Sequence, residues 1–191
     1  MADAEIKIFS PANLADWRAW LAQNHATESA VWLVFYSKSS GKKAITWSES
    51  VDVALCFGWI DSKKVKINSE TSHQFFSRRK PKSTWSKINK LKVQQLIEKG
   101  LMEPAGHACI KIAKANGSWT IFDEAEALIV PADLQMEFEA NADVRNFYWA
   151  LSKTGKKGIL HKLALAKLPE TRQKRISEVI AAAKQKAKPK T

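Results

Sequence analysis

Strand-forming character stops at Arg78. Up to that residue, short runs of β-branched and aromatic side chains alternate with helical patterns; beyond it, apolar residues mostly recur three and four apart, the spacing of one helix face. This patterning predicts an α+β fold: an N-terminal α/β part with a small, mostly antiparallel sheet, followed by a C-terminal all-helical part. The expected division is 1–82 as the α+β lobe, 83–183 as a helical lobe packed on it, and 184–191 as a basic flexible tail.

In the first lobe, Ser10-Pro11 has the form of a helix start, with Leu14, Trp17, Trp20 and Leu21 on one face. Val31 to Lys38 is apolar on both faces and predicts a central strand. Thr46-x-x-Glu49 is a capping box, and Gly58 is placed to end the helix that it opens. Trp59 to Asp61 reads as a short strand, Lys63 to Asn68 as another with Val65 and Ile67 inward, and His73 to Arg78 as a third. The polar Asn68–Ser72 connects the last two. Beyond Arg78, Ser83 is positioned to cap a helix running past Ile97, and Pro104 to open one that Gly117 closes. Trp119–Phe122 reads as a short extended piece. Helices follow over Pro131–Ala140 and Asp143–Leu151, then a flexible basic connector at Gly155–Gly158, then helices over Ile159–Leu168 and Pro169–Ala183.

Charge sharpens the picture. The 31 Lys and Arg against 19 Asp and Glu leave a net charge of +12, which favours polyanionic partners or serves solubility alone. The cations are clustered: residues 62–92 hold ten of them against Glu70, and residues from 153 onward hold twelve against Glu170 and Glu178. Cys56 and Cys109 are single, far apart and set in apolar helical patterns, which predicts free thiols and a cytoplasmic location. The N-terminal residues lack an export signal, and no window approaches the ~18 apolar residues of a membrane span.

The richest stretch for chemistry is Phe75 to Ser86, which holds Arg78, Arg79, Lys80 and Lys82 among aromatic rings and hydroxyls at an expected strand-to-helix junction. Cations and free N–H groups at a helix start attract anions. The candidate ligand set is Trp59, Asp61, Phe76, Arg78, Arg79, Lys82, Ser83, Trp85, Ser86 and Asn89, with Trp59 and Trp85 as walls and Asp61 orienting an arginine. The competing reading is that Ser83 caps, the rings fill core and the cations are solvated. Asp61 is also a candidate general base beside Arg78 or Lys82, although an Asp at a strand end commonly caps a turn. A second basic motif comprises Lys167, Glu170, Thr171, Arg172 and Arg175. Its two arginines share a helix face and either hold an anion or dock onto the acidic residues 123–143. The four histidines have no metal-ligand spacing, and there is no Gly-rich phosphate loop or nucleophile elbow, so no metal or cofactor is implied.

Several of these segments, in this order, resemble the YdeI/OmpD-associated (bacteriocin-protection) family: Phe57-Gly58-Trp59-Ile60-Asp61-Ser62, Phe76 through Asn89, Gly100-Leu101-Met102, Pro104-Ala105-Gly106, Ala113-x-x-x-Gly117-x-Trp119, and Ala166-Lys167-Leu168-Pro169-Glu170-Thr171-Arg172-x-x-Arg175-Ile176. The resemblance implies a cytoplasmic bacterial protein with an α+β N-terminal part and a helical C-terminal part, linked to stress or bacteriocin tolerance, and it supplies no reaction. Near Lys153–Gly158 the chain departs from the family pattern, where a Pro- or Ser-led helix start is expected. The leading expectation is a binding protein with an anion site at residues 76–89, for a phosphorylated or carboxylated small molecule or for nucleic acid. The alternatives are an enzyme using Asp61 with Arg78 or Lys82, and a structural module that binds a protein partner.

Overall fold

The computed structural model describes residues 6–42 and 45–187. The chain divides into two units, residues 1–119 and 120–191. In the first, β1 (Ile8–Phe9), α1 (Leu14–Asn24), β2 (Ala30–Tyr36), α2 (Trp47–Cys56), β3 (Trp59–Lys66), β4 (Thr71–Arg78), α3 (Lys87–Glu98) and α4 (Pro104–Ala115) follow in order. The sheet order is β1-β2-β4-β3, with β1 parallel to β2 and the other pairs antiparallel. The second unit is helical: α5 (Asp123–Glu126), α6 (Ala132–Ala140), α7 (Ala142–Ala150), α8 (Lys153–Ala164) and α9 (Pro169–Ala187). This is the α+β architecture expected from the sequence. The line drawn at 82/83 falls inside the first unit, because α3 and α4 contribute Val93, Leu96, Ile110 and Ala113 to the sheet's own core.

Strand alternation sets what the core receives. Val31, Leu33 and Phe35 are buried, whereas Trp32, Val34 and Tyr36 between them are half-buried on the opposite face. Across the ladder Phe76 joins the buried face, and Trp17, Leu21, Val51, Leu55 and Trp59 complete the core. The capping box at Thr46 and Glu49 forms as read, and Gly58 ends α2 with φ +73°, a conformation that disfavours any side chain.

Several local expectations are corrected. Asn13, not Ser10, caps α1, its side chain accepting from Asp16 N–H. Val65 and Ile67 are exposed, because β3 runs continuously from Trp59 to Lys66 with a bulge between Asp61 and Lys64. Such a bulge reverses the faces of all later side chains. Trp119–Phe122 forms turns and is not extended, and Gly155–Gly158 lies within α8. There Ser152 supplies the Ser-led start that the family pattern calls for, its Oγ accepting from Gly155 N–H at 3.2 Å. Helix α9 continues to Ala187, taking in the first residues of the expected tail; 188–191 lie outside the described residues. No helix among the described residues is long and apolar enough to cross a membrane.

Candidate functional site

Three local facts place Arg79. It is the first residue past β4, and its N–H donates to Gly58 O at 2.9 Å, tying the strand end to the close of α2. The next residues turn, with Ser83 N–H donating to Lys80 O at 2.9 Å and Asn116 Nδ2 donating to Pro81 O at 2.7 Å. That turn lays Trp85 beneath the guanidinium, whose carbon is 3.6 Å from the ring centroid. Trp85 is 2% exposed and Arg79 only 9%.

The guanidinium is incompletely satisfied. Nη1 donates to Thr84 O at 3.2 Å, and Nε is buried without a partner. Among the described residues no carboxylate forms an ion pair with it. Burial pushes its pKa down to about 10, partly offset by Cys109 and Asp61. Beside it is a cavity of about 40 Å3 lined by Arg79, Lys80, Pro81, Trp85, Cys109, Ile112 and Ala113. Burial pushes the Cys109 thiol up, with Arg79 opposing, so this cysteine does not have the depressed pKa of a reactive thiolate.

The expected ligand set is therefore divided. Arg79 and Trp85 meet, but Arg78 is exposed and donates from Nη1 to Ala26 O at 3.3 Å. Trp59 and Phe76 are fully buried in the core, and Trp59 Nε1 donates to His25 O at 3.3 Å. Lys82 is exposed outside the cavity lining. Helix α3 starts at Lys87, not after Ser83: Ser86 is the cap, and its Oγ accepts from Asn89 N–H at 3.2 Å, which occupies one of the N–H groups expected for an anion. Asp61 orients no arginine; its Oδ2 accepts from Trp47 Nε1 at 2.9 Å and from Gln74 Nε2 at 3.3 Å.

The second basic motif serves docking. Arg172 donates from Nη2 to Asp133 Oδ1 at 2.8 Å, from Nε to Asp133 Oδ2, and from Nη1 to Leu163 O at 3.1 Å, while Arg175 donates to Lys162 O. Lys167 and Glu170 are exposed and Thr171 is half-buried. The Arg172 hydrogen bonds hold the Asp133 carboxyl below the usual carboxylate range. A carboxyl with a lowered folded pKa stabilises above its unfolded pKa and loses that contribution as pH falls through the folded value. Asp133→Asn is accordingly expected to lower stability by about 0.5–1 kcal/mol at neutral pH, since solvent screens this partly exposed pair, a difference that shrinks below about pH 4. Urea unfolding at pH 7 and pH 3, with Arg172→Gln and the double variant closing the cycle, checks this.

Comparison with known families gives two matches. Residues 9–109 match a domain of unknown function (DUF8412), and residues 127–186 match the family described as Bacteriocin-protection, YdeI or OmpD-Associated. The chain belongs to the DUF8412 family, whose model spans just over half of it, and its helical second unit carries a YdeI/OmpD-associated domain. No curated protein and no solved structure matches it. The YdeI/OmpD-associated match covers α6 to α9 with the Arg172 motif, whereas Arg79 and its cavity lie in the DUF8412 region. Cys109, Ile112 and Ala113 escaped the sequence reading as site residues. The available signal was their shared helix face together with Gly106, one turn earlier, where small residues let α4 approach the end of α2.

Proposed function

We propose that this YdeI/OmpD-associated family protein binds a small oxyanion at Arg79. The observation that carries the reading is the buried guanidinium with a free Nε–H, no carboxylate partner among the described residues and an adjoining cavity. A buried charge without a counter-charge is costly, and buried charges are normally paired. A bound carboxylate or phosphate oxygen would accept from Nε and neutralise the cation, with Lys80 exposed at the same cavity to add a second charge. Size narrows the guest. A cavity needs about 10–15 Å3 to hold one water, so this one takes the volume of about three waters, or the head of one small oxyanion. The stack on Trp85 fixes the guanidinium in advance of binding, which lowers the entropy lost on association. The two free cysteines support a reducing, cytoplasmic setting for this activity.

The test is a thermal-shift and tryptophan-fluorescence titration of the full chain with phosphate, sulfate, acetate and formate at constant ionic strength. Wild type is expected to be stabilised saturably by at least one of them, by about 2.7 kcal/mol at a hundred times Kd. Arg79→Gln should abolish the effect, while Arg79→Lys retains part of it. Equal responses in wild type and Arg79→Gln would sink the proposal.

A further inference from the structure

At the far end of β4 from Arg79, seven residues and about 23 Å of strand away, a cleft of about 570 Å3 opens between the β2–α2 connection and the β3–β4 hairpin. Its volume falls among those of small-molecule sites, about 300–1,000 Å3. Phe35 and Ile45 give it an apolar floor, and Lys42, Lys64 and Lys66 set ammonium groups around it against one carboxylate, Glu70. None of these three lysines forms an ion pair with a described carboxylate.

Two features show that the cleft is built. The β3 bulge places three residues of β3 against two of β4, with Asp61 opposite Phe76 and Lys64 opposite Gln74. In a regular strand Lys63 and Val65 would share the face of Asp61; the bulge instead delivers Lys64 and Lys66 to that face and leaves Lys63 over Trp32 and Phe75 on the other. The second feature is Trp47, which is 51% exposed yet tethered through Nε1 to Asp61, itself held by the buried Gln74. An indole that is both exposed and fixed in orientation is suited to stacking on a planar ligand.

We infer that this cleft is a second site, for a nucleoside phosphate, with Trp47 stacking on the base and Lys64, Lys66 and Lys42 receiving the phosphate. Asp61 acts as a positioning residue for Trp47. Ring stacking of this kind tightens binding by roughly five- to a hundredfold per base, and the ammonium groups add charge-assisted contacts to a phosphate dianion. A bare anion would leave the indole unused. The site does not depend on the Arg79 proposal.

The experiment is calorimetric titration of the full chain with the 5′-monophosphates of adenosine, guanosine, cytidine and uridine, with adenosine and inorganic phosphate as comparators. At least one monophosphate is expected to bind saturably, with adenosine and phosphate each at least about tenfold weaker, a loss of 1.4 kcal/mol or more. Lys64→Glu/Lys66→Glu and Trp47→Ala should each weaken binding by a similar factor. Asp61→Asn, which keeps the size of the side chain, should weaken it less and shift the Trp47 indole N–H resonance. Arg79→Gln should leave it unchanged, which separates this site from the first. The inference is overturned if no monophosphate saturates, if phosphate alone binds as tightly, if the lysine variants bind normally, or if the binding disappears with Arg79→Gln.

Discussion

Gly106→Ala should destabilise the first unit by at least about 3 kcal/mol, the upper end of what overpacking a core does. Alanine is intrinsically the better helix former by about 1 kcal/mol, so propensity alone predicts the opposite sign. Geometry decides the outcome. A Cβ at Gly106 would be 2.3 Å from Cys56 O and 2.9 Å from Cys56 C, both backbone atoms, and 2.7 Å from Met102 Cε. Met102 can rotate away, but the end of α2 cannot move without disturbing Gly58, whose carbonyl holds Arg79 N–H, and Cys56 O, which accepts from Glu103 N–H at 3.0 Å. Gly158→Ala is the control: this glycine lies in α8, exposed, with nothing within 4 Å of an added Cβ. It should stabilise the second unit by about 0.5–1 kcal/mol. Urea unfolding followed by tryptophan fluorescence resolves the first effect, because Trp17, Trp20, Trp32, Trp47, Trp59, Trp85 and Trp119 all belong to the first unit. A neutral Gly106→Ala would show that α4 can draw back from Cys56 at little cost.

The sequence revealed what local rules govern. The capping box at Thr46, the left-handed Gly58 and the apolar β2 each rest on chemistry confined to a few neighbouring residues, and each appears as read. The errors came where tertiary structure overrides local signals. Ser83 and Ser86 are equally good caps in isolation; the turn that brings Trp85 under Arg79 selects Ser86. Gly155 and Gly158 read as a connector, yet Ser152 and the burial of Leu160 and Leu163 hold them in a helix. The β3 bulge has no local signature, so the alternation that turns Val65 and Ile67 inward on paper leaves both exposed in the fold. The candidate site was half legible for the same reason. Adjacent cations marked the region, but alternation along an extended chain sends Arg78 and Arg79 to different partners, and only the fold shows which one is buried.

Trp85→Ala is expected to have the larger consequence for both fold and site. Removing a fully buried tryptophan lowers stability by about 3–5 kcal/mol, the lost transfer energy of the ring plus the cavity left behind. Two further interactions go with it: the guanidinium stack, worth about 2 kcal/mol when desolvated, and the ring contact with Trp119 at 4.9 Å between centroids. Arg79 would then be a buried cation over an empty space, free to turn toward water, and the cavity proposed to take a small oxyanion would lose its floor. Trp85→Phe separates these roles. It keeps an aromatic face under the guanidinium while removing volume, so it should destabilise by about 1–3 kcal/mol yet retain the anion-dependent stabilisation that Trp85→Ala loses. The measurement is thermal unfolding of each variant with and without the anion that stabilises wild type. If Trp85→Ala binds that anion as wild type does, the ring does not organise the site. If Trp85→Phe abolishes binding while remaining folded, the indole contributes more than a stacking surface.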